Sequence, residues 1–184
     1  AELAVLAPDG GPVADGESGE IVLRAPQMFL GYLDPADDQG CFTPDGSFCM
    51  GDLGRLVDEQ FIEITGRQKD IIIRKGENIS PLEIENALMR HPSVRMAAVV
   101  GVPDEARGEM VVAFVVPHDG AAFDFAAMQA HLGMLDMARQ KYPERLEIVQ
   151  SLPMNAVGKV QKIALRARAQ GSRGSALNWG HEKP

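Results

Sequence analysis

Gly66-Arg67-Gln68-Lys69-Asp70-Ile71-Ile72-Ile73-Arg74-Lys75-Gly76-Glu77-Asn78-Ile79-Ser80-Pro81-Leu82-Glu83-Ile84-Glu85 is the stretch that decides the fold. A charged turn precedes three consecutive isoleucines, a β-branched run that reads as the strand Ile71–Arg74. Gly76 then separates the strand from a helix start. Ser80 fits the N-cap, Pro81 the first helical position, and Glu83 the third position that closes a capping box. The helix is expected to run to about Arg90, bury Leu82, Ile84, Leu88 and Met89, and stop at His91-Pro92.

The chain changes character at this point. Residues 1–66 carry short runs rich in Val, Ile, Leu and Thr at Leu3–Leu6, Glu20–Arg24, Arg55–Val57 and Phe61–Thr65. Gly, Pro and Asp clusters separate them, and Asp58-Glu59-Gln60 reads as a tight turn. This spacing predicts a small β-barrel or a twisted sheet. Beyond residue 70, strands are expected at Val94–Val102, Met110–Val116 and Arg145–Val149, with Pro103–Gly108 as a polar loop. Helices are expected at Phe125–Leu132, at Met134–Lys141 after a break near Gly133, and at Lys162–Ala169. The fold class is α+β: a β-barrel-like part over 1–66, a hinge at 67–69, a compact α+β sandwich over 70–170 and a mobile, glycine-rich tail over 171–184.

Composition excludes several classes of function. The net charge is −8, and residues 1–66 hold 13 acids against 2 bases, so nucleic acid is not an expected partner. The basic end, 151–184, has 6 bases and 1 acid and suits a small anion. No apolar run is long enough to span a membrane. Cys41 and Cys49 are too few for a disulfide framework and lack metal-site spacing; they read as two reduced thiols of a cytoplasmic protein. His91, His118, His131 and His181 have no evident ligand partners and read as structural, and no metal site is expected. Phe29 and Tyr32 read as core residues. The chain opens on Ala1 rather than Met, which reads as a truncated or processed start.

Three segments could carry chemistry. Asp52, in Met50-Gly51-Asp52-Leu53-Gly54, reads as lying in a loop just before a strand, where a carboxylate can accept hydrogen bonds from both hydroxyls of a ribose. Arg67 offers a planar fork of donors suited to ribose or phosphate oxygens. Lys159 follows Gly158 in Leu152-Pro153-Met154-Asn155-Ala156-Val157-Gly158-Lys159-Val160-Gln161-Lys162, where an ammonium on a loop can stabilise developing negative charge. The spacing of a Walker loop is absent.

Together, Gly51-Asp52, Gly66 to Glu85 and the Gly158-Lys159 segment resemble the adenylate-forming superfamily of acyl-CoA synthetases, luciferases and peptide-synthetase adenylation domains. The resemblance covers roughly residues 10–169. It implies that Asp52 and Arg67 bind the nucleotide, that Lys69 is a hinge, and that Lys159, rather than Lys162, is the catalytic lysine of adenylation. It further implies that Gly76 lies beside a pantetheine tunnel, with Arg74 and Lys75 near the phosphates of coenzyme A. ATP or AMP, coenzyme A and magnesium are the implied cofactors, the metal held mainly by upstream residues. The superfamily's Ser/Thr/Gly-rich phosphate loop and its Tyr-Gly-x-Thr-Glu segment are absent from this sequence. The chain is therefore expected to be the C-terminal part of an acyl-CoA ligase, inactive alone, with the remaining N-terminal domain and a small carboxylic acid as partners. Tyr142-Pro143-Glu144-Arg145-Leu146 followed by Leu152-Pro153 resembles ligases of medium-chain, alicyclic or aromatic acids. A peptide-synthetase adenylation domain and a non-catalytic nucleotide- or partner-binding module are the alternatives.

Overall fold

A computed structural model describes residues 1–58 and 61–171. The chain divides into two compact units, the first ending at Asp70 and the second beginning at Ile71. The architecture is α+β.

The first unit is a meander of four antiparallel strands, β1 (Glu2–Leu6), β2 (Gly19–Arg24), β3 (Phe48–Val57) and β4 (Phe61–Arg67). They lie in the order β1-β2-β3-β4, and β1 does not pair with β4, so the sheet is open and does not close into a barrel. Four strands are too few to surround a filled interior. β3 starts well before the expected Arg55 and takes in Gly51-Asp52, so that motif lies within a strand rather than in a loop ahead of one. Phe29 and Tyr32 are 40% and 48% exposed, not core. They form a surface aromatic cluster in which Phe29 meets Tyr32, Phe42 and Phe48 with centroids 5.1–5.6 Å apart. Of the expected Asp58–Gln60 turn only Asp58 is described, in the left-handed region at φ 51; Glu59 and Gln60 lie outside the described residues.

The second unit is built on β7 (Val94–Asp104) and β8 (Gly108–Pro117), paired antiparallel from Val94↔Pro117 to Asp104↔Gly108. The short hairpin β5 (Ile72–Arg74) and β6 (Glu77–Ile79) meets β8 at Arg74↔Gly108, and β9 (Arg145–Ile148) runs parallel to β8. Val99, Val111, Ala113 and Val115 pack on one face with Ile84 and Leu88 of α1 (Pro81–Met89) and Met128 and Leu132 of α2 (Phe125–Met134). Val100, Val112, Phe114 and Val116 pack on the other face with Leu165 and Ala169 of α3 (Lys162–Gly171). Both faces are covered, which is why β7 and β8 read as continuous apolar runs rather than alternating ones.

Local chemistry moved several expected boundaries. Ser80 is the N-cap of α1, but its side chain makes no capping bond. Glu83 does not close a box; both its oxygens lie 2.8 Å from Lys141 Nζ, and a charged partner outcompetes a neutral N–H. α1 buries Pro81, Ile84, Glu85, Ala87 and Leu88, whereas Met89 is exposed. α2 continues through Gly133, and the expected helix over Met134–Lys141 is reduced to a 3-10 turn at Arg139–Lys141. The terminator is Asp136 at φ 52: its N–H bonds Gly133 O, and the N–H of Met137 bonds Leu132 O, the paired closure of a Schellman motif. α3 extends to Gly171, and the remainder of the expected tail lies outside the described residues.

Glu85 is the one buried carboxylate of α1. Its Oε1 accepts from Val99 N–H on the outer edge of β7 at 2.7 Å and meets Lys162 Nζ of α3 at 2.9 Å. Helix, sheet edge and second helix are thus tied at one atom. Glu85→Ala should lower unfolding free energy by about 3 kcal/mol, because it leaves an edge N–H and an ammonium without their shared acceptor. Glu85→Gln, which keeps the acceptor, should cost clearly less. Urea unfolding of both variants measures the difference.

Beneath α1, His91 stacks edge-on against Phe123 and His131, both at 4.9 Å between centroids, and His131 Nε2 donates to Ala87 O at 2.9 Å. Burial, and then the neighbouring His131, hold His91 below the ordinary histidine value of 6.5. The unfolded chain therefore binds this proton more tightly than the folded one. The His91 contribution is complete above pH 6.5 and is lost as pH falls toward the depressed folded value. From about pH 7.5 to about pH 5.5 the urea midpoint of the wild type should fall more than that of His91→Gln; parallel curves would contradict this.

Candidate functional site

In the first unit, the chain brings Asp52 and Arg67 together by register. They face each other as the terminal pair of the β3–β4 ladder. Arg67 Nε donates to Asp52 Oδ1 at 2.7 Å, with side chains 47% and 24% exposed. Two irregularities aim this pair. Against β2, the register of β3 shifts between Glu20↔Leu53 and Val22↔Cys49, across Met50-Gly51-Asp52. Gly51 sits there at φ +69, a conformation that a side chain would strain. Against β4 the register shifts again between Leu53 and Gly54. Bulges of this kind re-aim side chains at the margin of a sheet. The result is a carboxylate with Oδ1 committed to Arg67, beside a guanidinium whose terminal nitrogens have no partner among the described residues. Lys69 lies next in the chain, exposed in the 3-10 turn Gln68–Asp70 that ends this unit.

In the second unit, Lys75 and Gly76 form the two-residue turn of the β5–β6 hairpin, between the facing residues Arg74 and Glu77. Their φ values are 52 and 82, the doubly positive pattern of a type I′ turn. Both residues are exposed, and a Cβ on Gly76 would meet nothing within 4 Å. Arg74 differs from its neighbours. Its Nη1 donates to Gln140 O at 2.8 Å, and its Nη2 meets Glu144 Oε1 at 2.6 Å. Arg107 Nε lies 3.6 Å from the same oxygen, and Glu144 Oε2 accepts from Val111 N–H at 2.8 Å. Arg74 therefore ties the hairpin to Gln140 and Glu144, just ahead of β9, while Lys75 projects from its tip.

Lys159 lies on a separate loop of the second unit. Leu152 is buried under the α3 face, and Met154 bridges Val160 across a tight turn. Asn155 organises that turn from within. Its Oδ1 accepts from Val157 N–H at 3.2 Å and from Lys159 N–H at 2.8 Å. Its own N–H bonds Lys159 O at 2.9 Å, and its carbonyl accepts from Gly158 N–H at 3.0 Å. Gly158, at φ +78, closes the turn. The Lys159 side chain is exposed and has no hydrogen-bond or ion-pair partner among the described residues. Lys162, three residues on, is instead held by Glu85.

Sequence reasoning singled out neither Asn155 nor Glu85. A signal for Asn155 was present: an asparagine followed by a glycine before the lysine is the composition of a side-chain-closed turn. Glu85 carried no signal, because only tertiary structure brings Val99 and Lys162 to it. Among the described residues no group of three or more His, Cys, Asp or Glu could hold a metal, and no helix is long and apolar enough to cross a membrane. Asn155→Ala should leave global stability within about 1 kcal/mol, since the turn is exposed, while amide exchange at Val157 and Lys159 accelerates. Unchanged exchange there would show that the turn does not depend on Asn155.

Residues 83–159 match the family model described as the AMP-binding enzyme C-terminal domain. The chain is 44% identical over 162 residues to the sulfoacetate–CoA ligase of Cupriavidus necator, covering 88% of this chain and 32% of that protein. It is also 44% identical to triostin synthetase I of Streptomyces triostinicus, covering 88% of this chain and 31% of that one. The ATP-bound MatB structure from Rhodopseudomonas palustris superposes with a TM-score of 0.86 at 36% identity, over 92% of this chain and 34% of that one. The chain thus spans about a third of the length of these relatives. Residues 83–159 thus match the AMP-binding enzyme C-terminal domain, and over most of its length the chain is similar in sequence and fold to adenylate-forming enzymes.

Proposed function

We propose that the chain is the C-terminal part of an ATP-dependent carboxylic acid–CoA ligase that acts through an acyl-AMP intermediate. A carboxylate oxygen of the acid attacks the α-phosphorus of ATP, and pyrophosphate leaves. The thiol sulfur of coenzyme A then attacks the acyl carbon, and AMP leaves. Lys159 acts in the first step, its ammonium placed against the charge that carboxylate and α-phosphate share as they join. Asp52 accepts from the ribose hydroxyls, and Arg67 holds the Asp52 carboxylate while offering its free nitrogens to the nucleotide. Lys75 and Gly76 serve the second step. The exposed ammonium at the hairpin tip suits a coenzyme A phosphate, and the open space at Gly76 leaves room for an extended chain, with Arg74 as the brace behind them. Lys69 is the hinge whose rotation withdraws Lys159 and presents the Lys75-Gly76 hairpin. Magnesium is assigned mainly to residues upstream of this chain.

The observation that carries this reading is the contrast between two lysines on one segment. Lys162 is locked to Glu85, whereas Lys159 stands free on an Asn155-braced turn. A lysine without a partner on an ordered loop is available to a ligand. The acid proposed is a medium-chain, alicyclic or aromatic carboxylate, and the setting proposed is cytoplasmic acyl activation. The likeness to triostin synthetase I favours a second reading, a peptide-synthetase-type adenylation domain. It shares the first half-reaction and differs in the acceptor, a carrier-bound thiol instead of free coenzyme A.

Two variants, made in a protein extended upstream to the length of its relatives, test the assignment. Lys159→Ala should slow acyl-adenylate formation by about 100- to 1000-fold while sparing transfer from preformed acyl-AMP. Lys69→Pro, which fixes one φ angle, should slow thioester formation more than adenylation. Equal losses in both half-reactions for both variants would contradict the alternating use of one site.

A further inference from the structure

We propose that Cys41 and Cys49 are a reversible dithiol–disulfide couple at the start of β3. The two cysteines belong to a short antiparallel hairpin that closes around Pro44-Asp45-Gly46. Thr43 N–H bonds Ser47 O at 2.9 Å, Phe42 bridges Phe48, and Cys49 N–H bonds Cys41 O at 2.9 Å. In this register Cys41 lies directly opposite Cys49. The aromatic pair one position inward confirms it, since the Phe42 and Phe48 rings touch at 5.6 Å between centroids. Side chains alternate across a strand, so the two thiols share the face opposite those rings. Facing residues of an antiparallel pair hold their Cα atoms about 4.5–5.5 Å apart, inside the roughly 4.4–6.8 Å that a disulfide spans.

Both cysteines are half-exposed free thiols. Cys41 Sγ donates to Asp37 O at 3.1 Å, a weak bond that rotation of the side chain gives up. Burial, then Glu20 and Cys41 itself, push the Cys49 thiol up, which makes Cys49 the resolving partner. A low-molecular-weight disulfide such as glutathione disulfide supplies the oxidant. Cys41 thiolate attacks one of its sulfurs and expels one glutathione. Cys49 then loses its proton, attacks Cys41 Sγ and expels the second. The two cysteines lose two electrons and two protons, and one glutathione disulfide becomes two glutathiones. A hydrogen-bonded strand pair is not the relaxed setting of a disulfide, so the bond is expected to be readily reduced. Asp52 follows Cys49 by three residues on the same strand, so the cross-link would fix the strand that carries it.

The chain is equilibrated with glutathione disulfide and glutathione at graded ratios, quenched with acid, and examined by intact mass and non-reducing peptide mapping. The expected result is loss of two hydrogens, a Cys41–Cys49 cross-linked peptide, and full reversal by dithiothreitol. Cys49→Ser should stop at a glutathione adduct on Cys41. Stable glutathione adducts on both cysteines of the wild type, or two thiols that stay free at every ratio, would overturn the proposal.

Discussion

The second unit depends on the shared acceptor at Glu85. β7 is an edge strand, and an edge leaves backbone donors without a ladder partner. Glu85 satisfies one of them at Val99, and the same oxygen takes the ammonium of Lys162. The carboxylate therefore fixes the end of the loop that precedes α3, while Leu152 in the core fixes its beginning. Between these anchors the chain folds into the Asn155 turn. Lys159 is exposed on that turn, whereas Lys162 beyond it is held by Glu85.

The first unit solves a different problem with a different device. A regular strand would alternate its side chains and leave Asp52 wherever the pleat put it. The register shift across Met50-Gly51-Asp52, with Gly51 in the left-handed region, breaks that alternation and sets Asp52 against Arg67. The ion pair is partly open to solvent, so it contributes little to stability. Its value is orientation: the contact between Arg67 Nε and Asp52 Oδ1 fixes how the two side chains face each other.

These two devices differ in how far they could be read from the sequence. The isoleucine run, Pro81 after Ser80, and the apolar runs of β7 and β8 reveal the second unit because local propensity and tertiary packing agree there. The disagreements arise where a distant partner or one residue's backbone conformation overrides the local pattern. Glu83 left its capping role for Lys141, and Met134–Lys141 did not become a helix because Asp136 closed α2 with a left-handed residue. Gly51-Asp52 read as a loop because a glycine inside a strand imitates a turn. Phe29 and Tyr32 read as core because large aromatics usually are; here they pack on one another at the surface. Lys159 and Lys162 were distinguishable in the sequence only through resemblance. In the structure their contacts separate them.

In the proposed reading, this chain completes an enzyme that activates a carboxylate as its adenylate. The most direct test is carboxylate-dependent exchange of pyrophosphate into ATP, measured with a panel of acids on the chain and on the upstream-extended protein. The account predicts exchange in the extended protein with medium-chain, alicyclic or aromatic acids, and none in the chain alone. Exchange by the chain alone, or none by the extended protein with any acid, would contradict it.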